Sequence, residues 1–266
     1  DDITDLVTAQ RSSAWADVAR RIAHEIKNPL TPIQLSAERI RRKFGKVIVE
    51  DRPIFDQCTD TIIRQVDDIK RMVDEFSSFA RMPKPQPVDE DVVATVREVA
   101  FMMRVGNPAV TIEEDLPETP VIARFDRRLV SQAVQNLIKN ACEAIAESAA
   151  GSEGRGKIHL SIAGQGLGEA QGAGEVIVDI RDNGKGFPKE GRQRLLEPYM
   201  TTRDGGTGLG LPIVAKIFED HGGRIELLDP PADEAGQILP GAVVRIHLPR
   251  YAPETTNQNR PNEEKR

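Results

Sequence analysis

Two long helical patterns joined by a short turn constrain the fold of the first eighty residues more than any other feature. In the first pattern, apolar residues recur at steps of three and four, the spacing of one helix face. Its members are Val18, Ile22, Ile26, Leu30, Ile33, Ala37, Ile40 and Phe44. The second pattern repeats this spacing from Cys58 to Ala80. Because the stretch from Gly45 to Pro53 is short, we expect an antiparallel helical hairpin.

A single hairpin cannot enclose its own apolar face. The simplest completion is a homodimer in which two hairpins form a four-helix bundle, with Ile22 and Ile26 buried in the seam. A monomeric hairpin packed on the following domain is the alternative.

A proline-rich segment then separates the hairpin from a mixed region. Prolines at 83, 85 and 87 cannot continue a helix and favour an extended linker. We therefore predict a hairpin domain over 1–82, a linker over 83–88, a second domain over 89–250 and a disordered tail over 251–266.

The pattern of the second domain predicts helices grouped with a mostly antiparallel sheet, which is an α/β sandwich. We predict helices over Asp91–Arg104, 127–147 and Leu209–His221, the second with Asp126 as its N-cap. Strands are expected near Val110–Glu113, Val121–Arg124, Lys157–Ala163, Glu175–Arg181, Arg224–Leu228 and Ala242–Leu248. The fold class is therefore α+β, with the hairpin preceding the sandwich.

Composition excludes several classes of function. The net charge of −6 argues against nucleic-acid binding, which needs a concentrated basic surface. No apolar run approaches the roughly 20 residues of a membrane span. Since the chain begins at Asp1 rather than Met, any membrane attachment is expected from segments upstream. Cys58 and Cys142 fall inside helical patterns without metal-ligand spacing, so we expect two buried thiols in a reducing cytosol.

The sharpest local feature is His24, followed by Glu25, Asn28 and Pro29. At about 100° per residue, His24 lies roughly 200° around the helix from Ile22, which directs it to solvent. A neutral exposed imidazole has a free lone pair for attack on phosphorus, and Glu25 could hold its other nitrogen. Pro29 and Pro32 remove helix hydrogen bonds, so we expect the helix to bend or loosen there. The alternative interpretation is that His24 is a surface histidine without function.

Five segments together resemble the conserved boxes of sensor histidine kinases. Residues 24–30 resemble the H-box, and the others follow in the family's order. They are the N-box at 135–141 (Gln-Asn-Leu-Ile-Lys-Asn-Ala), the G1 box at 182–187 (Asp-Asn-Gly-Lys-Gly-Phe), the F-box at 197–202 (Glu-Pro-Tyr-Met-Thr-Thr) and the G2 box at 205–211 (Gly-Gly-Thr-Gly-Leu-Gly-Leu). The H-box and the residues after G2 look most like the nitrogen-regulation group, particularly the NtrY type.

The resemblance implies roles for the N-box and G1 residues. Asn136 and Asn140 lie four apart, so their amides share one helix face, and an amide oxygen suits Mg²⁺. By resemblance Asn140 is the Mg²⁺ ligand and Lys139 reaches a phosphate. Asp182 is implied to accept a hydrogen bond from the adenine amino group, with Gly184 and Gly186 allowing the base to approach.

The later boxes are implied to contact the nucleotide through Thr201, Thr202, Arg203, Gly206, Thr207, Gly208, Leu209 and Gly210. Glycines leading into a helix let backbone N–H groups bind phosphate. We predict a mobile ATP lid over Phe187–Thr207. Arg203 in this lid either contacts the γ-phosphate or only keeps the lid surface in contact with solvent. Tyr199 stands where the family has phenylalanine, and its ring is expected to pack.

The implied function is autophosphorylation of His24 from ATP and Mg²⁺, followed by transfer to an aspartate of a receiver domain on a response regulator, NtrX-like by resemblance. Asn28 matches a position that implies a second, receiver-phosphatase activity. This segment is expected in the cytoplasm, with the full-length parent in the bacterial inner membrane. The alternatives are a gyrase/Hsp90-like ATPase, a nucleotide-binding scaffold without chemistry, and a serine or lysine kinase of similar architecture.

Overall fold

The protein is described by a computed structural model covering residues 2–80, 82–164, 174–201, 206–231 and 239–250. Its helices are α1 (Asp2–Phe44), α2 (Arg52–Ala80), α3 (Val92–Gly106), α4 (Arg127–Ala146), α5 (Ala149–Ser152) and α6 (Gly210–Asp220), with a 3₁₀ helix over Arg192–Leu196. Its strands are β1 (Val88–Asp91), β2 (Val110–Asp115), β3 (Ile122–Phe125), β4 (Gly156–Gly164), β5 (Glu175–Asp182), β6 (Arg224–Leu228) and β7 (Ala242–Pro249). Two compact units result: Asp1–Lys84 with Gln193–Ile213, and Pro85–Arg192 with Val214–Arg266.

In the first unit, α1 and α2 form the predicted antiparallel hairpin. Ala23, Leu30 and Ala37 of α1 are buried, as are Val66 and Val73 of α2. Both sets recur every seven residues, which is the spacing that keeps one seam facing a partner helix. α1 continues through Pro29 and Pro32 as one helix.

Polar pairs tie the two helices together along one edge. Three pairs join residues that are seven apart on each helix, so they define a single antiparallel register. They are Lys27 with Asp74, Gln34 with Asp67 at 3.0 Å, and Arg41 with Asp60 at 2.7 Å.

A second apolar stripe of the hairpin remains exposed within the chain. Its members are Ile22, Ile26, Ile33, Ile40 and Phe44 on α1 and Ile62, Ile69 and Met72 on α2. Ile22 and Ile26 are each about 40% exposed in the single chain, so the hairpin alone does not bury them and their burial in a dimer seam stays a prediction. Cys58 is also exposed rather than buried. Both exposures follow because one neighbouring helix can cover only one face of each helix.

In the second unit, five strands form a sheet in the order β2-β4-β5-β7-β6. β2 pairs parallel with β4 and the other neighbours pair antiparallel, as the mostly antiparallel prediction requires. α4 packs on β4 and β5, while α3 packs on α4 and β2. A small antiparallel pair, β1 with β3, begins at Val88, the last residue of the predicted linker.

The alternation of side chains along β5 determines which face of the sheet Asp182 occupies. Val176, Val178 and Ile180 are buried and face the helices, and Asp182 continues this set because strand side chains alternate with a period of two. On the opposite face, Asp179 receives two hydrogen bonds of 2.8 Å from Arg245. Within the described residues, no helix has the length and apolar composition of a bilayer span.

Candidate functional site

His24 lies exposed on α1, where the periodicity of the sequence directs it. Glu25 is also exposed, and its carboxylate accepts a hydrogen bond of 2.9 Å from Arg21 one turn earlier. Asn28 is exposed one turn after His24. The three predicted residues of the acceptor site therefore share the outer side of one helix, accessible to a second protein or domain.

The N-box residues divide between two sides of α4. Asn136 and Asn140 are half-buried one turn apart, while Lys139 is exposed and lies 3.9 Å from the Glu143 carboxylate. Leu137 and Ile138 between them are fully buried. Apolar anchoring on one side of α4 therefore fixes the direction in which both amides point.

Asp182 ends β5 with a buried carboxylate, and one of its oxygens accepts the Gly184 N–H at 2.8 Å. Asn183 fastens the same turn to the start of β4. Its amide oxygen accepts the Lys157 N–H at 2.8 Å, and its amide nitrogen donates to the Arg155 carbonyl at 2.9 Å. Hydrogen bonds thus hold the turn after Asp182 at the end of the central strand, beside α4.

The two G1 glycines are explained by contacts within the protein. A Cβ on Gly184 would lie 2.7 Å from the backbone carbon of Ala144 in α4. Gly186 has φ +76°, and a Cβ there would lie 2.7 Å from the Gly241 carbonyl oxygen. These contacts give both glycines a reason within the protein, and the close approach of a base stays a prediction.

Gly241 is a site residue that the sequence analysis missed. Its φ is +118°, and a Cβ at this position would lie 1.8 Å from the Asp182 carbonyl oxygen. Gly241 thus permits the turn before β7 to close over Asp182. A Pro-Gly dipeptide predicts a turn but does not indicate which strand end that turn touches.

The F-box and G2 residues lie in the first unit. The Tyr199 N–H donates to the Gly208 carbonyl at 3.0 Å, and a Cβ on Gly208 would lie 2.6 Å from the Tyr199 backbone. Tyr199 has φ +68°, and its side chain is 56% exposed, so the expectation that its ring packs is wrong.

The G2 segment leads into α6 as predicted. Gly206 and Gly210 are half-buried, Leu209 is fully buried, and α6 begins at Gly210. The Thr207 hydroxyl donates to Glu75 of α2 and accepts the Leu209 N–H at 3.3 Å. Thr201 is exposed. The predicted residues Thr202 and Arg203 lie outside the described residues, as does Gly205.

The carboxylates of Asp182 and Glu143 both lie near Cys142. Burial raises the pKa of the Cys142 thiol, and the nearby carboxylates of Glu143 and Asp182 raise it further. Among the described residues, no group of three or more His, Cys, Asp or Glu side chains could hold a metal. A divalent cation at this site would therefore need amide, phosphate and water oxygens.

Two family models match the chain. "His Kinase A (phospho-acceptor) domain" matches residues 14–85, which contain His24. "Histidine kinase-, DNA gyrase B-, and HSP90-like ATPase" matches residues 125–252, which contain the N, G1, F and G2 segments.

Two curated relatives match most of this chain. Nitrogen regulation protein NtrY of Azorhizobium caulinodans is 58% identical over 95% of this chain and 31% of its own length. A putative NtrY-like sensor histidine kinase of Rickettsia conorii is 38% identical over 87% of this chain and 36% of its own length. The chain thus spans about a third of the length of these relatives.

Solved structures share the fold. Full-length ShkA in complex with AMPPNP has a TM-score of 0.59 and 19% identity, over 87% of this chain and 45% of that one. Histidine kinase ThkA in complex with response regulator protein TrrA has a TM-score of 0.59 and 22% identity, over 92% of this chain and 65% of that one. With an acceptor hairpin, an ATPase-type domain and this degree of identity to NtrY, the chain belongs to the NtrY-like sensor histidine kinases.

Proposed function

We propose that this chain autophosphorylates His24 from ATP and Mg²⁺ and then passes the phosphoryl group to an aspartate of a response regulator. The observation that carries the proposal is an exposed histidine on the hairpin of a phospho-acceptor domain, in the same chain as an ATPase-type domain. An ATPase alone has no use for such a histidine.

ATP binding rests on Asp182 and the glycine segment before α6. The Asp182 carboxylate is buried and accepts the Gly184 N–H, which suits an acceptor for an exocyclic amino group. The backbone from Gly206 to Gly210 precedes a helix N-terminus, where N–H groups and the helix dipole favour phosphate. The relative ShkA was solved with AMPPNP, an ATP analogue, which supports this choice of nucleotide.

Asn140 is the residue that we assign to Mg²⁺. Magnesium prefers hard oxygen ligands and keeps several waters while it bridges phosphates. One half-buried amide, with no cluster of three acidic or imidazole ligands in the described part of the chain, fits such a phosphate-borne ion. Bound there, the ion would neutralise charge on the β- and γ-phosphates.

The reaction at His24 is an in-line displacement. The lone pair of one ring nitrogen, Nε2 by family resemblance, forms a bond to the γ-phosphorus as the bond to the ADP oxygen breaks. The proton on Nδ1 then leaves to Glu25 or to water. Glu25 is exposed, and its pair with Arg21 is solvated, so the carboxylate could leave that pair and reach the ring at little cost.

The exposed apolar stripe of the hairpin supports a homodimer. Its isoleucines continue the buried seam around α1 and α2, and the same stripe on a second copy would cover it with two-fold symmetry. Burying each isoleucine contributes roughly 1–2 kcal/mol. A four-helix bundle of two chains is therefore the form that we propose for the first unit.

A phosphatase activity toward the receiver is proposed for Asn28. Its amide is exposed on the same side of α1 as His24 and could position a water against a docked acyl phosphate. Replacing Asn28 with Ala should abolish receiver dephosphorylation and leave His24 phosphorylation intact. Unchanged dephosphorylation by Asn28→Ala would remove this part of the proposal.

The partner is a receiver domain, NtrX-like by resemblance, since the relative ThkA was solved with a response regulator. We place this segment in the cytoplasm, and its parent in the bacterial inner membrane through segments outside the chain.

Incubation with radiolabelled ATP and Mg²⁺ tests the kinase function. We expect an acid-labile, alkali-stable label on the wild type that is absent from His24→Ala and Asn140→Ala. ATP hydrolysis without any protein-bound label would favour the gyrase/Hsp90-like ATPase instead.

A further inference from the structure

His221 lies at the C-terminus of α6 with its backbone fixed on both sides. The Gly223 N–H donates to the Phe218 carbonyl at 2.7 Å, the Gly222 N–H donates to the Glu219 carbonyl at 2.9 Å, and Gly222 has φ +72°. This pattern is a Schellman motif, in which the residue before the left-handed glycine caps the helix. The direction of the His221 Cα–Cβ bond is therefore set by the backbone.

Both ring nitrogens of His221 have partners that define one tautomer. Nδ1 lies 2.6 Å from the Ile217 carbonyl oxygen, which can only accept a hydrogen bond. Nε2 lies 2.9 Å from the backbone nitrogen of Asp126, which can only donate. These two partners fit the tautomer with its proton on Nδ1 and the Nε2 lone pair on the Asp126 N–H.

Asp126 forms hydrogen bonds with three parts of the second unit, which are His221, the first turn of α4 and the linker. Its Oδ1 accepts the N–H groups of Arg128 and Leu129 at 3.1 and 3.2 Å, which caps α4. Its Oδ2 accepts the N–H of Gln86, a linker residue, at 3.1 Å. The carboxylate is buried, so its direction depends on how the Asp126 backbone is held.

We propose that His221 is a positioning residue that anchors the interdomain linker to the catalytic domain through Asp126. The ring holds the Asp126 N–H, and the Asp126 carboxylate then holds both the first turn of α4 and Gln86. The anchor thereby fixes the point at which the chain leaves this domain toward the acceptor helix. This inference rests on the proposed kinase function, in which the nucleotide must be delivered to His24.

Delivery of the bound nucleotide to His24 is sensitive to such an anchor. The rate of phosphoryl transfer depends mainly on how the protein positions the two reacting groups, since the protein contributes little covalent chemistry. The nucleotide residues Asn136 and Asn140 lie about three and four turns beyond Asp126 on α4 and are fixed by their own buried neighbours. Loss of the anchor is therefore expected to slow delivery while leaving ATP affinity unchanged.

Two amide variants of the whole 266-residue chain separate the two ring contacts. In His221→Gln the side-chain oxygen reaches the place of Nε2 and can accept the Asp126 N–H. In His221→Asn the amide reaches only the place of Nδ1 and can donate to Ile217. We expect His221→Asn to phosphorylate His24 about tenfold more slowly, with ATP affinity within about twofold of wild type, and His221→Gln to stay near wild type.

Hydrogen exchange and nitrogen NMR supply readouts independent of activity. The Gln86 and Asp126 amides should exchange about tenfold faster in His221→Asn than in wild type or His221→Gln. In the wild type, the ¹⁵N shift of His221 Nε2 should be that of an unprotonated ring nitrogen. A protonated Nε2, identical behaviour of the two variants, or a parallel loss of ATP affinity would each overturn the proposal. If the wild type forms no phosphohistidine, the kinase function fails, while exchange at Gln86 still decides whether the anchor exists.

Discussion

Glycine 241 shows how a single missing side chain organises the nucleotide end of the sheet. Its α-carbon lies against the Asp182 carbonyl in a backbone conformation that side chains rarely adopt. Gly186 lies against the same turn, since a Cβ there would come 2.7 Å from the Gly241 carbonyl oxygen. The position of Asp182 therefore depends on two glycines that are distant in sequence.

Gly241→Ala is expected to destabilise the chain by about 2 kcal/mol or more, because the added Cβ must displace the Asp182 backbone. ATP affinity should fall as well. Gly106→Ala is the control, since a Cβ there meets nothing within 4 Å. Chemical denaturation of both variants measures the difference, and equal stabilities would show that the turn relaxes freely.

Cys142 reports on the same site through its reactivity. Burial and the carboxylates of Glu143 and Asp182 raise its pKa, so the thiolate fraction at neutral pH is low. Iodoacetamide should therefore modify exposed Cys58 first and Cys142 slowly, with Cys142 accelerating as pH rises. Peptide mapping after timed alkylation distinguishes the two, and faster modification of Cys142 at neutral pH would contradict this picture.

At the scale of elements, α4 depends on the cap at Asp126. Burial opposes the charged form of this carboxyl, but the N–H groups of Gln86 and Leu129 and the charge of Arg128 outweigh burial and lower its pKa. A depressed pKa stabilises the fold above the ordinary value of about 3.9, and this stability is lost as pH falls through the folded pKa.

Asp126→Asn should therefore remove part of the acid sensitivity of unfolding below about pH 4 and cost about 0.5–2 kcal/mol at neutral pH through the weakened cap. Denaturation of wild type and variant at pH 7 and pH 3 measures both effects. A destabilisation that is the same at both pH values would contradict the assignment.

Local patterns predicted most elements, because helix and strand periodicity is a local property. α4 was expected over 127–147 with Asp126 as its cap, and it spans Arg127–Ala146 with that cap. Strand β1 was missed because its four residues, Val88–Asp91, follow the prolines and pair with β3, more than thirty residues away. His221 and Gly241 were missed for the same reason, since their partners are remote in sequence.

For the whole molecule, the exposed apolar stripe on the hairpin is the surface that we expect to form the dimer interface. Ile33 lies at its centre and is 47% exposed, whereas Leu35 is 59% exposed on the opposite side of α1. Ile33→Glu should therefore shift the chain from dimer to monomer, and Leu35→Glu should not. Analytical ultracentrifugation measures the outcome, and a monomeric wild type would favour a hairpin covered by other means.

Mapping of the phosphorylated residue decides whether His24 accepts the γ-phosphate of ATP. The chain is incubated with ATP and Mg²⁺, digested at alkaline pH and sequenced by tandem mass spectrometry. We expect phosphate on the His24 imidazole and on no other residue. Phosphate on a different residue, or none while ATP is hydrolysed, would contradict it.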